Sequence, residues 1–321
     1  MRPRAGLLML LAVATTSANA QEVRKIATIT TPIRVKTVTV CGPSGLAAGL
    51  AVNGSVYIWR IPSGELVGNR PAEHGVNALA CSRDAKWLAI GKKDGSVVIT
   101  DILGRPAKTL AVTNMPIQDV MFSPDGSLLA VQVSGAPVQL WSPAQGMLIA
   151  VLKTDFSDSS SMDFSPDSAS FATADSDTSI RIYDKKGRLK ATYSDLLLEP
   201  FAIGFMPDGK HVIIGGANCI LTVLDASDAH VVRQLPKQPD PAFAVVSMPN
   251  GLSLLSFHID ALALRKFTVL LWDIRTSERR ELSIDAAHIV GYGITMGSTA
   301  VLFLADSDTS LTIWAISNLP L

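Results

Sequence analysis

Apolar and polar residues alternate along this chain in short runs, and turn-forming residues interrupt the runs at near-regular intervals. One period shows the pattern. Ile117-Gln118-Asp119-Val120-Met121-Phe122 is strand-like, and Ser123-Pro124-Asp125-Gly126 follows it. In that tetrapeptide Pro presets φ, Asp hydrogen-bonds nearby backbone and Gly accepts positive φ, so the chain turns. Ser127 to Val133 reads as a second strand and Pro137 to Trp141 as a third. After the turn Pro143-Ala144-Gln145-Gly146, Met147 to Leu152 reads as a fourth. No long helical periodicity interrupts the series.

The period recurs. A β-branched stretch ends in an aromatic residue or its substitute at Trp59, Thr100, Trp141, Tyr183, Leu224, Trp272 and Trp314, with spacings of 41, 41, 42, 41, 48 and 42. Upstream of each lies a second marker: GPSG (42–45), SRDA (82–85), SPDG (123–126), SPDS (165–168), MPDG (206–209), MPNG (248–251) and a worn MGS (296–298). Four short antiparallel strands per period of this length make one propeller blade. The pattern predicts an all-β, seven-bladed β-propeller in a single domain over residues 21–321. After Trp314 only seven residues remain, too few for a turn and a fourth strand, whereas Val23 to Thr30 stands spare before the first blade. That N-terminal strand is expected to complete the last blade and remove an open edge.

The first twenty residues follow a different grammar. Arg2 and Arg4 precede the apolar stretch Leu7 to Ala14, and Ala18-Asn19-Ala20 supplies small residues before Gln21. This is the three-part form of a secretory signal cleaved after residue 20. The apolar stretch is too short to cross a bilayer, which takes about 20 residues. The expectation is an exported protein, in the bacterial periplasm or secreted, not inserted in a membrane after cleavage. No Cys follows the cleavage site to carry a lipid anchor.

Composition narrows the function classes. Charged residues make up 17% of the chain, against about 25% in ordinary globular proteins, and 48% is hydrophobic. That excludes disorder. Lys+Arg and Asp+Glu balance at 28 each, which argues against a nucleic-acid partner held by backbone electrostatics. Of the three cysteines, Cys41 and Cys81 stand at repeat positions where other repeats carry Phe122, Phe164 and Phe205. Those positions favour buried apolar thiols over a disulfide, and the odd count leaves at least one thiol free.

Several stretches resemble the WD40-repeat family. The motif V-x-x-V-x-F-S-P-D-G is matched by Ile117 to Gly126, and the Trp-Asp strand end by Leu271-Trp272-Asp273. Ala174 to Asp184 (ADSDTSIRIYD) is similar to the family's S-x-D-x-T-V-R-I-W-D, and Ala305 to Trp314 repeats it without the closing Asp. The resemblance covers residues 23–318 and implies a seven-bladed propeller serving as a rigid platform for other molecules, not a catalyst. The family's Gly-His pair is not matched: His74 and His288 lie closer to the turn than the family spacing. The Trp-Asp ends and the seven-fold count favour this family over the TolB-like propellers, which share the Pro-Asp-Gly turn.

Candidate chemistry is sparse. Asp175 and Asp177, with their twins Asp306 and Asp308, could be cation ligands, but no local acidic residue completes a calcium set. Asp and Ser at a hairpin tip more often satisfy turn backbone. The five histidines have no metal-ligand spacing, and neither a hydrolase elbow nor a phosphate loop is present. Catalytic, cofactor and metal residues are therefore assigned as none. The informative irregularity is the 48-residue spacing at the sixth blade, an apolar insertion around His258 to Lys266 with a basic end. By the family's geometry it shares a face with the links between blades. These are Leu235 to Pro241, stiffened by three prolines, and the apolar Leu196 to Pro200. Leu197, Leu198, Lys237, His258, Ile259, Leu262 and Leu264 are the candidate partner-binding residues; otherwise the insertion only extends a hairpin. The expectation is a monomeric, non-enzymatic exported scaffold for a protein or peptide. The alternatives are a propeller enzyme or cofactor-binding oxidoreductase using the central channel, or a small-ligand sensor.

Overall fold

The computed structural model describes residues 22–153, 159–196, 198–248, 250–259, 267–282, 284, 288–294, 300–307 and 309–317. The described strands fall into seven four-stranded antiparallel sheets. Six of them are meanders of four consecutive strands and form the blades of a β-propeller, numbered here in chain order. The third, for example, runs Ile117–Phe122, Leu129–Val133, Ala136–Ser142, Met147–Val151. The seventh sheet is composite: His288–Ile294, Ala300–Ser307 and Ser310–Ser317 are followed in space by Glu22–Thr30, the strand that begins the described chain. Thr30 pairs with Ser310 and Arg24 with Ala315. The signal-like residues 1–20 lie outside the described residues.

Burial follows from where each strand sits. Second and third strands are covered on both faces, and Ser170–Asp175 is buried at all six residues. Outer strands are exposed, as in Val231–Gln234. Apolar side chains gather in seven clusters, each shared between two sheets that follow one another. Leu128, Leu140, Phe164 and Tyr183 join the third to the fourth, for example, and Ile29, Phe303, Val38 and Trp59 join the composite sheet to the first. Packing sheet on sheet leaves little surface for charge, which explains the charge-poor composition.

The first strands of neighbouring sheets touch, for example the first with the second and the fourth with the fifth, so they form the inner wall. Each first strand carries a register irregularity at the same place, with one residue bulged out. The bulged residues are Lys36, Asn77, Gln118, Ser160, Phe201, Phe243 and Val290.

The cysteine expectation is corrected. Cys41 and Cys81 form a disulfide, with Cα atoms 5.1 Å apart and 40 residues between them in sequence. Both are buried, as their repeat positions imply. Equivalent positions on adjacent inner strands converge toward the axis, so two cysteines in phase meet. Cys219 is the free cysteine among the described residues.

Candidate functional site

The candidate rim is built from the link into the sixth blade and the hairpins beside it. Hydrogen bonds from both sides pin that link, beginning with the Leu235 N–H on the Leu221 carbonyl at 2.8 Å. The Gln238 N–H donates to the Cys219 carbonyl at 2.8 Å. The Arg279 guanidinium donates to the Lys237 carbonyl at 3.1 Å, while lying 5.5 Å from the Trp272 ring centroid. His258 Nδ1 donates to the Asp240 carbonyl at 2.9 Å. Proline stiffening is thus reinforced by contacts from both flanking blades. Lys237 is left exposed on the link, and Leu198 is 49% exposed on the neighbouring link. Leu196, Leu198 and Pro200 border a shallow cleft against Ile214 and Ile220.

His258 does not present itself to a partner. It is only 2% exposed. Trp272 Nε1–H donates to Ser256 Oγ at 2.8 Å, and Ser256 Oγ meets His258 Nε2 at 2.7 Å. The Asp240 carbonyl can only accept, so it fixes the proton on Nδ1 and the hydroxyl donates to Nε2. Burial lowers the imidazole pKa, which keeps the ring neutral. The residue thus locks the link to its blade from inside. Ile259 ends the strand Ser253–Ile259, and the next strand begins at Phe267, so the insertion lies between second and third strands as expected. Leu197, Leu262 and Leu264 lie outside the described residues, as does Asp308; Asp306 falls in the strand Ala300–Ser307.

Asp175 and Asp177 are occupied by a cation of the chain itself. Arg181 Nη1 lies 2.5 Å from Asp175 Oδ2, and its Nη2 lies 2.5 Å from Asp177 Oδ2. Arg181 and Asp175 are buried. Burial alone would raise the Asp177 carboxyl, but hydrogen bonds from Arg181 and from the Ser179 N–H outweigh it and lower its pKa. The hairpin is therefore a structural device. In the fifth blade Asp225, Asp228 and His230 converge at a turn, where His230 Nδ1 meets Asp228 Oδ1 at 2.6 Å and Asp225 accepts from Ser227.

A second feature escaped the sequence reading: the channel mouth between the first three blades. A cavity of about 390 Å³ there is lined by Lys36, Thr37, Asn77, Gln118 and Asp119 among others. Three bulged side chains form an arc, with Lys36 Nζ donating to Asn77 Oδ1 at 3.2 Å and Asn77 Nδ2 donating to the Ile117 carbonyl at 2.7 Å. Beside them Asp119 is reached by water yet surrounded by protein, and burial pushes its carboxyl up to about 6. Asp163, on the inner strand of the fourth blade, is pushed up to about 7 by burial, against hydrogen bonds from the Phe205 and Phe164 N–H groups. The signal was available only after alignment on the bulge, because polar residues in phase on the first three inner strands look unremarkable one at a time.

Four-stranded antiparallel propeller blades define the fold class. Comparison with known families agrees. The WD40 model (WD domain, G-beta repeat) matches residues 64–101 and 146–184, and the matches end at Asp101 and Asp184, the residues that close the third strands of the second and fourth blades. The chain carries WD40 repeats at these two sites. It is also similar to an uncharacterized WD repeat-containing protein of Synechocystis sp., 36% identical over 98 residues. That match takes in 30% of this chain and spans 28% of the length of the relative.

Proposed function

We propose that the protein is a non-enzymatic, exported scaffold that holds a protein or peptide partner on the propeller face carrying the links between blades. The rim of the fifth and sixth blades is the contact. One observation carries this reading: the link Leu235 to Pro241 is pinned from two blades yet leaves Lys237 exposed, and Leu198 is exposed on the link before it. A surface already ordered loses little entropy on binding, and an exposed apolar side chain and an exposed cation on successive links suit a protein contact. The WD40 repeats support the same class of function, since such propellers serve as interaction platforms. The buried Cys41–Cys81 disulfide supports export, because disulfides persist in oxidising compartments. The composite sheet and the shared cluster between it and the first blade support a seven-bladed ring closed by the N-terminal strand.

The test is comparative capture from periplasmic extract with wild type and with Leu198→Glu/Lys237→Glu. A partner held by wild type and lost by the double variant is the expected result. Unchanged capture of every partner overturns the rim assignment. The polar cavity at the channel mouth favours a second reading, a sensor of a small polar ligand. Metal analysis and an absorption spectrum of the purified protein check for a bound cofactor there.

A further inference from the structure

The outer wall of the propeller holds an edge unlike the others. Each sheet ends in an outer strand whose far side carries no partner strand among the described residues. Such edges invite pairing and are normally guarded by charge or proline. Six of the seven are guarded. Arg70 stands in Leu66–Arg70, Pro106 and Lys108 in Pro106–Ala111, Lys190 in Leu189–Tyr193 and Arg233 in Val231–Gln234. Arg279 and Arg280 stand in Arg279–Leu282, and Arg24 and Lys25 in Glu22–Thr30. The outer strand of the third blade, Met147–Val151, reads MLIAV and has no guard. Its side chains are not merely uncharged but open: Met147 is 58% exposed, Leu148 45%, Ile149 41% and Val151 50%.

The surroundings state what fits. Lys108 from the second blade donates to the Ala144 carbonyl at 2.6 Å, placing an ammonium at the start of the strand. Lys153 stands exposed just past its end. The fourth-blade turn at Gly187 lies against Ala150, and exposed Lys185 and Lys186 precede it. Residues 143–153 contain no acidic side chain. A second copy of the chain fits badly. Antiparallel pairing of two such strands about Ile149 would set Lys153 of one copy opposite Gln145 of the other, beside the other copy's Lys108, and would do so twice. Like charges that meet in an interface are unfavourable.

We propose that this edge takes a fifth strand from a partner protein: an extended, uncharged β-branched segment flanked by acidic residues. The free backbone edge supplies main-chain hydrogen bonds, the open apolar side chains take alternate residues of the added strand, and the cations at both ends select its flanks. This surface is separate from the rim of the fifth and sixth blades, so either can fail without the other.

The probe is a fluorescein-labelled peptide, Asp-Glu-Val-Thr-Val-Thr-Val-Glu-Asp, read by anisotropy against the full chain. A control peptide carries lysines in place of its acids. The acidic-flanked peptide is expected to bind wild type at least about tenfold more tightly than the control. Ile149→Lys, which restores a guard, should weaken it by about tenfold or more, and Lys153→Glu by severalfold. Circular dichroism melts of both variants check folding, and Lys153→Glu, at an exposed position, keeps the test alive if Ile149→Lys unfolds. Absence of binding at about 1 mM peptide, equal binding of both peptides, or undiminished binding to the variants overturns the proposal. Sedimentation velocity adds a further arm. A monomer supports the assignment, and a dimer abolished by Ile149→Lys would overturn it by giving the edge to a second copy.

Discussion

At the scale of single residues, the carboxylates divide by what faces them. Asp175 and Asp177 pair with a buried arginine, and hydrogen bonds from Arg181 and the Ser179 N–H lower the pKa of the Asp177 carboxyl. Asp163 faces the inner wall with only N–H donors, and burial raises its carboxyl to about 7. Its folded pKa lies above the value near 3.9 expected in the unfolded chain. Its favourable contribution is therefore complete below about pH 4 and is lost as pH rises through about 7. Asp163→Asn keeps an oxygen for the Phe205 N–H and removes the ionisation. The variant is expected to raise Tm at pH 8 by about 2–4 °C and to leave it nearly unchanged at pH 4, measured by calorimetry at both values. None of this partnering was legible in the sequence. Asp175 and Asp177 could be weighed against a metal site only by motif, because the identity of their cation, four and six residues on, depends on hairpin geometry. His258 was misjudged for the same reason: a polar residue beside an apolar insertion reads as surface, but its imidazole turns inward to Ser256 and Asp240.

At the scale of strands and turns, the sequence was informative, because a propeller repeats one local instruction. Among the described residues the turn tetrapeptides fall where the pattern puts them, and Asp125 accepts from the Ser123 hydroxyl and the Ser127 N–H as a turn aspartate should. Registers were less legible. The bulge in each inner strand leaves no residue-type signature, since Lys36, Gln118 and Phe201 occupy the same place. The disulfide was misread because periodicity locates Cys41 and Cys81 within their repeats but says nothing about how closely adjacent repeats approach. Thiol titration of denatured, unreduced protein is expected to find one free thiol, and three after reduction. Reduction should lower stability by about 2–4 kcal/mol, seen as a lower denaturant midpoint; three thiols before reduction would contradict the bridge.

At the scale of the whole molecule, everything proposed for the faces and the outer wall rests on one rigid ring. Sheets that pack pairwise around an axis leave no free end only if the last is completed and packs on the first. The strand Glu22–Thr30 pairs with Ser310–Ser317, and the cluster of Ile29, Phe303, Val38 and Trp59 joins that sheet to the first blade; the proposed ring rests on these two contacts. The composite sheet was legible in the spare strand before the first blade. The exposed edge at Met147–Val151 was not, because apolar runs in a propeller are ordinarily buried. The most direct measurement is a double cysteine variant, Thr30→Cys/Ser310→Cys, oxidised under native conditions and mapped by peptide mass spectrometry. Cross-strand partners in an antiparallel pair lie about 4.5–5.5 Å apart, within the Cα spacing a disulfide spans. A ring closed by its first strand predicts a disulfide joining positions 30 and 310. Free thiols at both positions, with Cys41–Cys81 intact, would contradict it.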